Sequence, residues 1–306
     1  MWGVSNALKP SLILHVGLPK AASTSLQWAL YENKTALQAQ GFLYEPDGGP
    51  RARNHKRLVQ SLLFADGAAV ETVIPKDESR TRIVSHEGLT NHLYDFGPDA
   101  LAHFRAATSH LETKAFLLIA ERSKWIRSYY AQCVLNPRSP RVALYGTSKT
   151  LVEIQDDRRM NRFLDRDALC RDIKERLGAD DVSVWNVEDD PVAGFSHSFE
   201  CRLDRPEMMR PKNPSPPGWV VEFVRQLNLL EPNEGQRIAW KGAVGLFTES
   251  EHDTLKQFSR SFSRGQPDLP LNTALWAQIR PGVNGPFCLT EDDLTGFANF
   301  VGRMGW

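Results

Sequence analysis

Lys20, Ser23, Thr24 and Ser25 fall within six residues of one another and combine one ammonium with three consecutive hydroxyls. That set suits the holding of an anion. The hydroxyls open a helical pattern directly after an apolar run. They therefore sit where unpaired backbone N–H groups and the positive end of the helix dipole also favour negative charge. A helix cap alone would need only one of them. A second set lies in Phe116–Gln132, FLLIAERSKWIRSYYAQ, where Arg122 ends an apolar run and Ser128 follows six residues later. That is about one and two-thirds turns at ~3.6 residues per turn, so the two side chains can converge on one small anion. A third set is the adjacent pair His86 and Glu87 in Ile83–Leu89, IVSHEGL. Either can take the proton of an attacking hydroxyl. Neighbours on a strand point to opposite faces, so one of the two faces the site. Arg210 and Lys212 make a further basic stretch, Arg210–Asn213, that could close over a bound anion.

The elements that must position these residues alternate along the chain. Leu12–Val16, Arg82–Ser85, Lys114–Ala120 and Val182–Val187 read as short buried strands. Helices are expected over Ser23–Gln40, Pro98–Leu111, Ser123–Leu135 and Asp165–Leu177, the last stopping at Gly178. This pattern predicts an α/β fold with a parallel sheet flanked by helices in three layers. Two stretches interrupt it. Tyr44–Arg80 is an excursion with a helix over Asn54–Phe64, and Pro191–Pro217, with six prolines, reads as a loop. Beyond it, helices are expected over Trp219–Leu229, Glu249–Phe262 and Glu291–Met304. The whole is expected to be a single domain, with a core over about 10–230 and a mainly helical extension, 231–306, packed on it.

The first loop departs from the nucleoside-triphosphate pattern GxxxxGK[ST]. In that frame Ala22 replaces the second glycine, Ser23 replaces the lysine, and the lysine has moved inside the loop to position 20. A triphosphate-hydrolysing site needs its lysine on the terminal phosphates and a hydroxyl on Mg²⁺. Three hydroxyls with a displaced lysine suit a less charged terminal group. HVGLPKAASTSLQ resembles the 5′-phosphosulfate loop of sulfotransferases that use 3′-phosphoadenosine 5′-phosphosulfate (PAPS), commonly PKTGTTSLQ. The resemblance implies a P-loop-like fold, and Lys20, Ala22, Ser23, Thr24 and Ser25 on the 5′-phosphosulfate. It implies Arg122 and Ser128 on the 3′-phosphate, although the family's serine follows at seven or eight residues rather than six. It implies a strand-end base, with Glu87 at the family position and His86 as the alternative. The implied donor is PAPS, the product is 3′-phosphoadenosine 5′-phosphate (PAP), and no metal is required. The similarity extends over roughly Leu12–Asn228. A small-molecule kinase and a non-catalytic nucleotide binder are the competing readings.

The bulk composition narrows the partners. In 306 residues Lys+Arg and Asp+Glu both number 37, which argues against a general nucleic-acid binder. The four cysteines each lie more than thirty residues from the next, so none forms a CxxC pair. The opening residues lack a long apolar run and no stretch approaches a membrane span, so a cytoplasmic location is expected. The acceptor is expected to be a small molecule or carbohydrate. Its pocket walls would come from Tyr44–Arg80, Leu135–Phe163 and Pro191–Pro217, whose basic and aromatic residues favour a polar or anionic compound.

Overall fold

The computed structural model describes residues 11–205, apart from 22, 48–51, 65–66, 68–69, 72–73, 75–79, 137, 140–141 and 143, together with Val221, Arg225 and Asn228. Chain contacts divide the protein into two compact units, Met1–Trp125 with Arg158–Pro211, and Ile126–Asp157 with Lys212–Trp306.

The first unit is built on five strands: β1 Ser11–His15, β2 Phe42–Leu43, β3 Thr81–Ser85, β4 Glu112–Ile119 and β5 Asp181–Asn186. They form one parallel sheet in the order β2-β3-β1-β4-β5. The register sets Ile13 beside both Ile83 and Lys114. Leu12, Ile13 and Leu14 are buried on both faces of β1, as expected of the central strand of a covered parallel sheet. All four strands expected from the apolar runs are present. The two-residue β2 is additional, and it is too short to carry a periodic signal.

The helices are α1 Ser23–Glu32, α2 Lys34–Ala39, α3 Lys56–Phe64, α4 Gly88–Asn91, α5 Pro98–Thr108, α6 Arg122–Leu135, α7 Leu151–Gln155, α8 Arg158–Leu164, α9 Arg166–Leu177 and α10 Pro191–Phe199. α9 shows how local chemistry sets an element. The Asp165 side chain accepts from Ala168 N at 2.9 Å, Gly178 stops the helix at φ 69°, and Leu169, Ile173 and Leu177 make the buried stripe.

Two expectations need correction. The helix over Ser23–Gln40 breaks at Asn33. Its Nδ2 donates to the carbonyls of Ala29 and Asp204, each at 2.8 Å, and its Oδ1 accepts from Asp204 N at 2.9 Å. These bonds hold Asn33 between two helices. Pro191–Pro217 does not begin as a loop, because α10 occupies its first nine residues. Asp190 caps α10 by accepting from Val192 N at 3.1 Å, and Pro191 takes the first turn, where its missing N–H costs nothing. Phe195 is fully buried, 5.3 Å from Phe116 edge-on. That burial stabilises by about 1.5–3 kcal/mol and overrides the loop-like composition downstream.

In the second unit, Asn228 Nδ2 donates to the carbonyls of Val134 at 3.0 Å and Thr147 at 2.9 Å, and Arg225 donates to Ser148 O at 2.8 Å. Val221, Arg225 and Asn228 are helical and buried, in keeping with the helix expected over Trp219–Leu229. The helices expected over Glu249–Phe262 and Glu291–Met304 lie outside the described residues. No described helix is long and apolar enough to cross a membrane.

A β-carbon on Gly194 would come within 2.4 Å of the Trp185 ring. Gly194→Ala is therefore expected to destabilise the first unit by about 1–3 kcal/mol through overpacking. The measurement is a urea midpoint, and an unchanged midpoint would show that α10 does not pack on β5 this way.

Candidate functional site

The strand order brings three strand ends together. β1 lies between β3 and β4, so the segments leaving the carboxyl ends of these strands share one edge, where ligands bind in open α/β sheets. Those segments carry Lys20 with Ser23–Ser25, His86 with Glu87, and Arg122. Arg122 opens α6 three residues beyond β4, is exposed, and makes no ion pair with a described residue. Ser128 is half-buried farther along α6 and belongs to the second unit. Ala22, Arg210 and Lys212 lie outside the described residues.

The loop after β1 is held by its backbone. Val16 N donates to Phe116 O and Leu18 N donates to Leu118 O, both at 2.9 Å, which continues the ladder with β4 past the end of β1. On the other side the Thr90 hydroxyl donates to Val16 O. The Trp125 indole donates to Pro19 O at 2.7 Å, and Ala21 N closes a turn onto Leu18 O at 3.0 Å. Between these ties Lys20 adopts a left-handed backbone, φ 65°, with its side chain exposed. A non-glycine residue there costs about 1–2 kcal/mol, and such strain gathers where a site needs a fixed shape.

Below the bend, Gly17 leaves room for other groups. A β-carbon on it would lie 2.6 Å from Ser23 Oγ, 3.1 Å from His15 Nε2 and 3.2 Å from Leu118 Cβ. Ser23 Oγ and His15 Nε2 are both buried without a hydrogen-bond partner among the described residues. Buried polar groups are seldom left so, and each marks a place for a missing partner. The first turn of α1 carries no acidic residue, and Thr24 is exposed while Ser25 is half-buried. The helix start is therefore free of negative charge, with one unsatisfied hydroxyl inside it.

The pair at the end of β3 is resolved by its hydrogen bonds. Gly88 N donates to His86 Nδ1 at 2.7 Å, so the neutral ring carries its proton on Nε2 and its lone pair is already used. His86 Nδ1 lies 3.9 Å from Glu87 Oε2, which is an ion pair only if the ring is protonated. Burial, opposed by the charges of Glu87 and Asp47, pushes the His86 ring down from its ordinary value. Glu87 Oε2 accepts from Gln27 Nε2 at 2.9 Å, and 37 % of its side chain is exposed. Burial favours its neutral form. His86, its own backbone N–H, Gln27 and His15 outweigh that and hold the carboxyl below the ordinary range. Glu87 is thus a carboxylate at neutral pH, and its Oε1 has no side-chain donor among the described residues.

A buried polar chain supports this edge. His15 Nδ1 and Ser85 Oγ are 2.6 Å apart, while Ser85 N donates to His55 Nδ1 and His55 N donates to Ser85 O, both at 3.0 Å. Burial is the main cause that lowers His15 to about 4 and His55 to about 3. Both rings are neutral at pH 7. Thr90, Trp125, Gln27 and His15 were not singled out by sequence pattern as site residues. Trp125 is 2 % exposed. Its clamp on Pro19 is a tertiary contact that no spacing announces.

No family model, no curated protein and no solved structure matches this chain.

The lowered histidines make stability depend on pH. Below about pH 6.5 the unfolded chain protonates both rings while the folded protein excludes those protons until about pH 4 for His15 and about pH 3 for His55. Their contribution is whole above the unfolded value and is lost as pH falls through that window, by about 3 kcal/mol for His15. Urea unfolding between pH 4 and 7 is expected to show stability rising with pH, with a shallower slope in His15→Gln. An identical slope in that variant would refute the assignment.

Proposed function

We propose that this protein is a PAPS-dependent sulfotransferase built on a P-loop-like α/β unit. The observation that carries the reading is the pairing of the Lys20–Ser23 cradle with a carboxylate one strand away, tied to it through Gln27 of the same helix that the cradle opens. A kinase would need a lysine in the first turn of α1, where Ser23 stands. Here the cation sits at the tip of the bend, three residues before the helix.

The residues present fit the donor. Ser23 Oγ is an unpartnered buried donor, the helix start carries no acid, and Gly17 keeps the space between them open. PAPS supplies an activated sulfuryl group when bound. Ser23, with Thr24, Ser25 and the free N–H groups of α1, holds its 5′-phosphate, and Lys20 offers its charge to the phosphate oxygen that leaves. Arg122, exposed at the next strand end and without an ion pair among the described residues, supports a contact with the 3′-phosphate. Ser128, Ala22, Arg210 and Lys212 remain expectations of the resemblance. The acceptor oxygen bonds to sulfur as its proton passes to Oε1 of Glu87. The bond from sulfur to the 5′-phosphate breaks, leaving its electron pair on PAP. Catalysis is mostly positioning and charge stabilisation, as in phosphoryl transfer. His86, with its lone pair held by Gly88, acts on the fold of this corner rather than as the base.

PAP is expected to bind in calorimetric titration and to raise the melting temperature, whereas ATP with Mg²⁺ does neither; the reverse result would favour a kinase. Lys20→Ala is expected to abolish transfer of labelled sulfuryl from PAPS with an unchanged melting temperature. Retained turnover in that variant would sink the mechanism. Glu87→Gln is expected to lower kcat by about 10²-fold or more, while His86→Asn, which keeps an acceptor for Gly88 N–H, falls by less than about tenfold. The opposite ranking would move the base to His86.

A further inference from the structure

Arg53, in the stretch before α3, has an unusual set of neighbours. Its guanidinium lies over the Trp28 indole at 3.3 Å from the ring centroid and stands 5.4 Å from the Tyr31 ring. Trp28 and Tyr31 are three residues apart on α1 and share a side of that helix. Stacking of this kind engages the face of the guanidinium and leaves its N–H edges to find acceptors. Arg53 Nε is buried with no hydrogen-bond partner, and among the described residues no carboxylate lies within ion-pair distance of the group. Two other arginines of this unit are different, with Arg159 paired to Asp95 at 2.5 Å and Arg162 to Asp172 at 2.6 Å. The nearby Asp47 is already used, since its two oxygens accept from Arg57 N and Leu58 N at 3.0 and 2.8 Å.

Two connections link the segment of Arg53 to that of the base. Trp28 adjoins Gln27, whose amide holds Glu87. The Arg53 carbonyl accepts from Tyr44 Oη at 2.5 Å, and His55 exchanges two bonds with Ser85, two residues before Glu87. Arg53 is also separate from the donor cradle. Its stacking partners lie five and eight residues beyond Ser23 on α1, or about 8–12 Å along the axis at ~1.5 Å per residue. One phosphate cannot span both places.

The geometry points to an anion subsite at Arg53 on the acceptor side of Glu87, so that the acceptor is a hydroxyl compound carrying a carboxylate or a sulfate ester. This rests on the sulfuryl-transfer reading. Trp28 pre-orders the guanidinium, and its free edge takes two oxygens of the acceptor's anion, as such forks do. That anchors the compound while its hydroxyl is presented to Glu87, which deepens selectivity because a neutral analogue would leave the guanidinium edge unpaired.

The test reads the site directly, with small anions as probes. The Trp28 indole N–H resonance, assigned with Trp28→Phe, is followed as acetate or methyl sulfate is titrated into protein saturated with PAP. Saturable shifts are expected, weakened about tenfold or more in Arg53→Gln and partly restored in Arg53→Lys, with melting temperature and PAP affinity unchanged in both variants. Preference for acetate identifies a carboxylated acceptor, and preference for methyl sulfate a sulfated one. No saturable shift in the unaltered protein, or an equal response in Arg53→Gln, would overturn the subsite. Failure of PAP to bind would count against the donor reading alone, because the same titrations without PAP still report on Arg53.

Discussion

The site depends on the backbone ties that carry β1 past its own end. The N–H groups of Val16 and Leu18 continue the ladder into β4, while the Val16 carbonyl is taken by Thr90 from the segment after β3. The chain therefore leaves the sheet between two fixed neighbours. With the Pro19 carbonyl held by Trp125, the turn closes only if Lys20 accepts a left-handed backbone. The strain there, about 1–2 kcal/mol, is small beside the bonds that impose it. A cation on so constrained a bend has a fixed origin, so its charge is presented from one place.

Behind this bend the polar interior is arranged at some thermodynamic cost. His15, Ser85 and His55 are all buried, and two ring nitrogens among them lack partners. A core of aliphatic residues would be simpler to stabilise. The imidazoles instead tie β1 to β3 and to the stretch before α3, so that the cradle, Glu87 and Arg53 share one frame. Burial keeps both rings neutral at pH 7. The carboxylate keeps the Gln27 bond.

Much of this architecture was legible in order along the chain. Apolar runs located four of the five strands, and the helix over Asp165–Leu177 was marked at its end by Gly178. The sequence set one ammonium and three hydroxyls at a strand-to-helix junction, and that junction is present between β1 and α1. The errors were local signals misread in bulk. Six prolines suggested a loop from Pro191 onward, although Asp190-Pro191 is a helix start. Asn33 sits within a helical pattern, and only its bonds to Asp204, 171 residues away, reveal the break.

By itself, the sequence determined which residue types were available and which short elements would carry them. Periodicity and capping act over a few residues and survive in any context. Tertiary structure decided what those residues can do. In the sequence only the resemblance favours Glu87 over His86, whereas the Gly88 N–H and the Gln27 amide set a ring with its lone pair engaged beside a carboxylate that already accepts one donor. Arg53 is one of many arginines until the fold lays it on Trp28 without a carboxylate. Hydrogen-bond partners and the pairing of charges depend on atoms brought together from distant parts of the chain, and no local pattern encodes them.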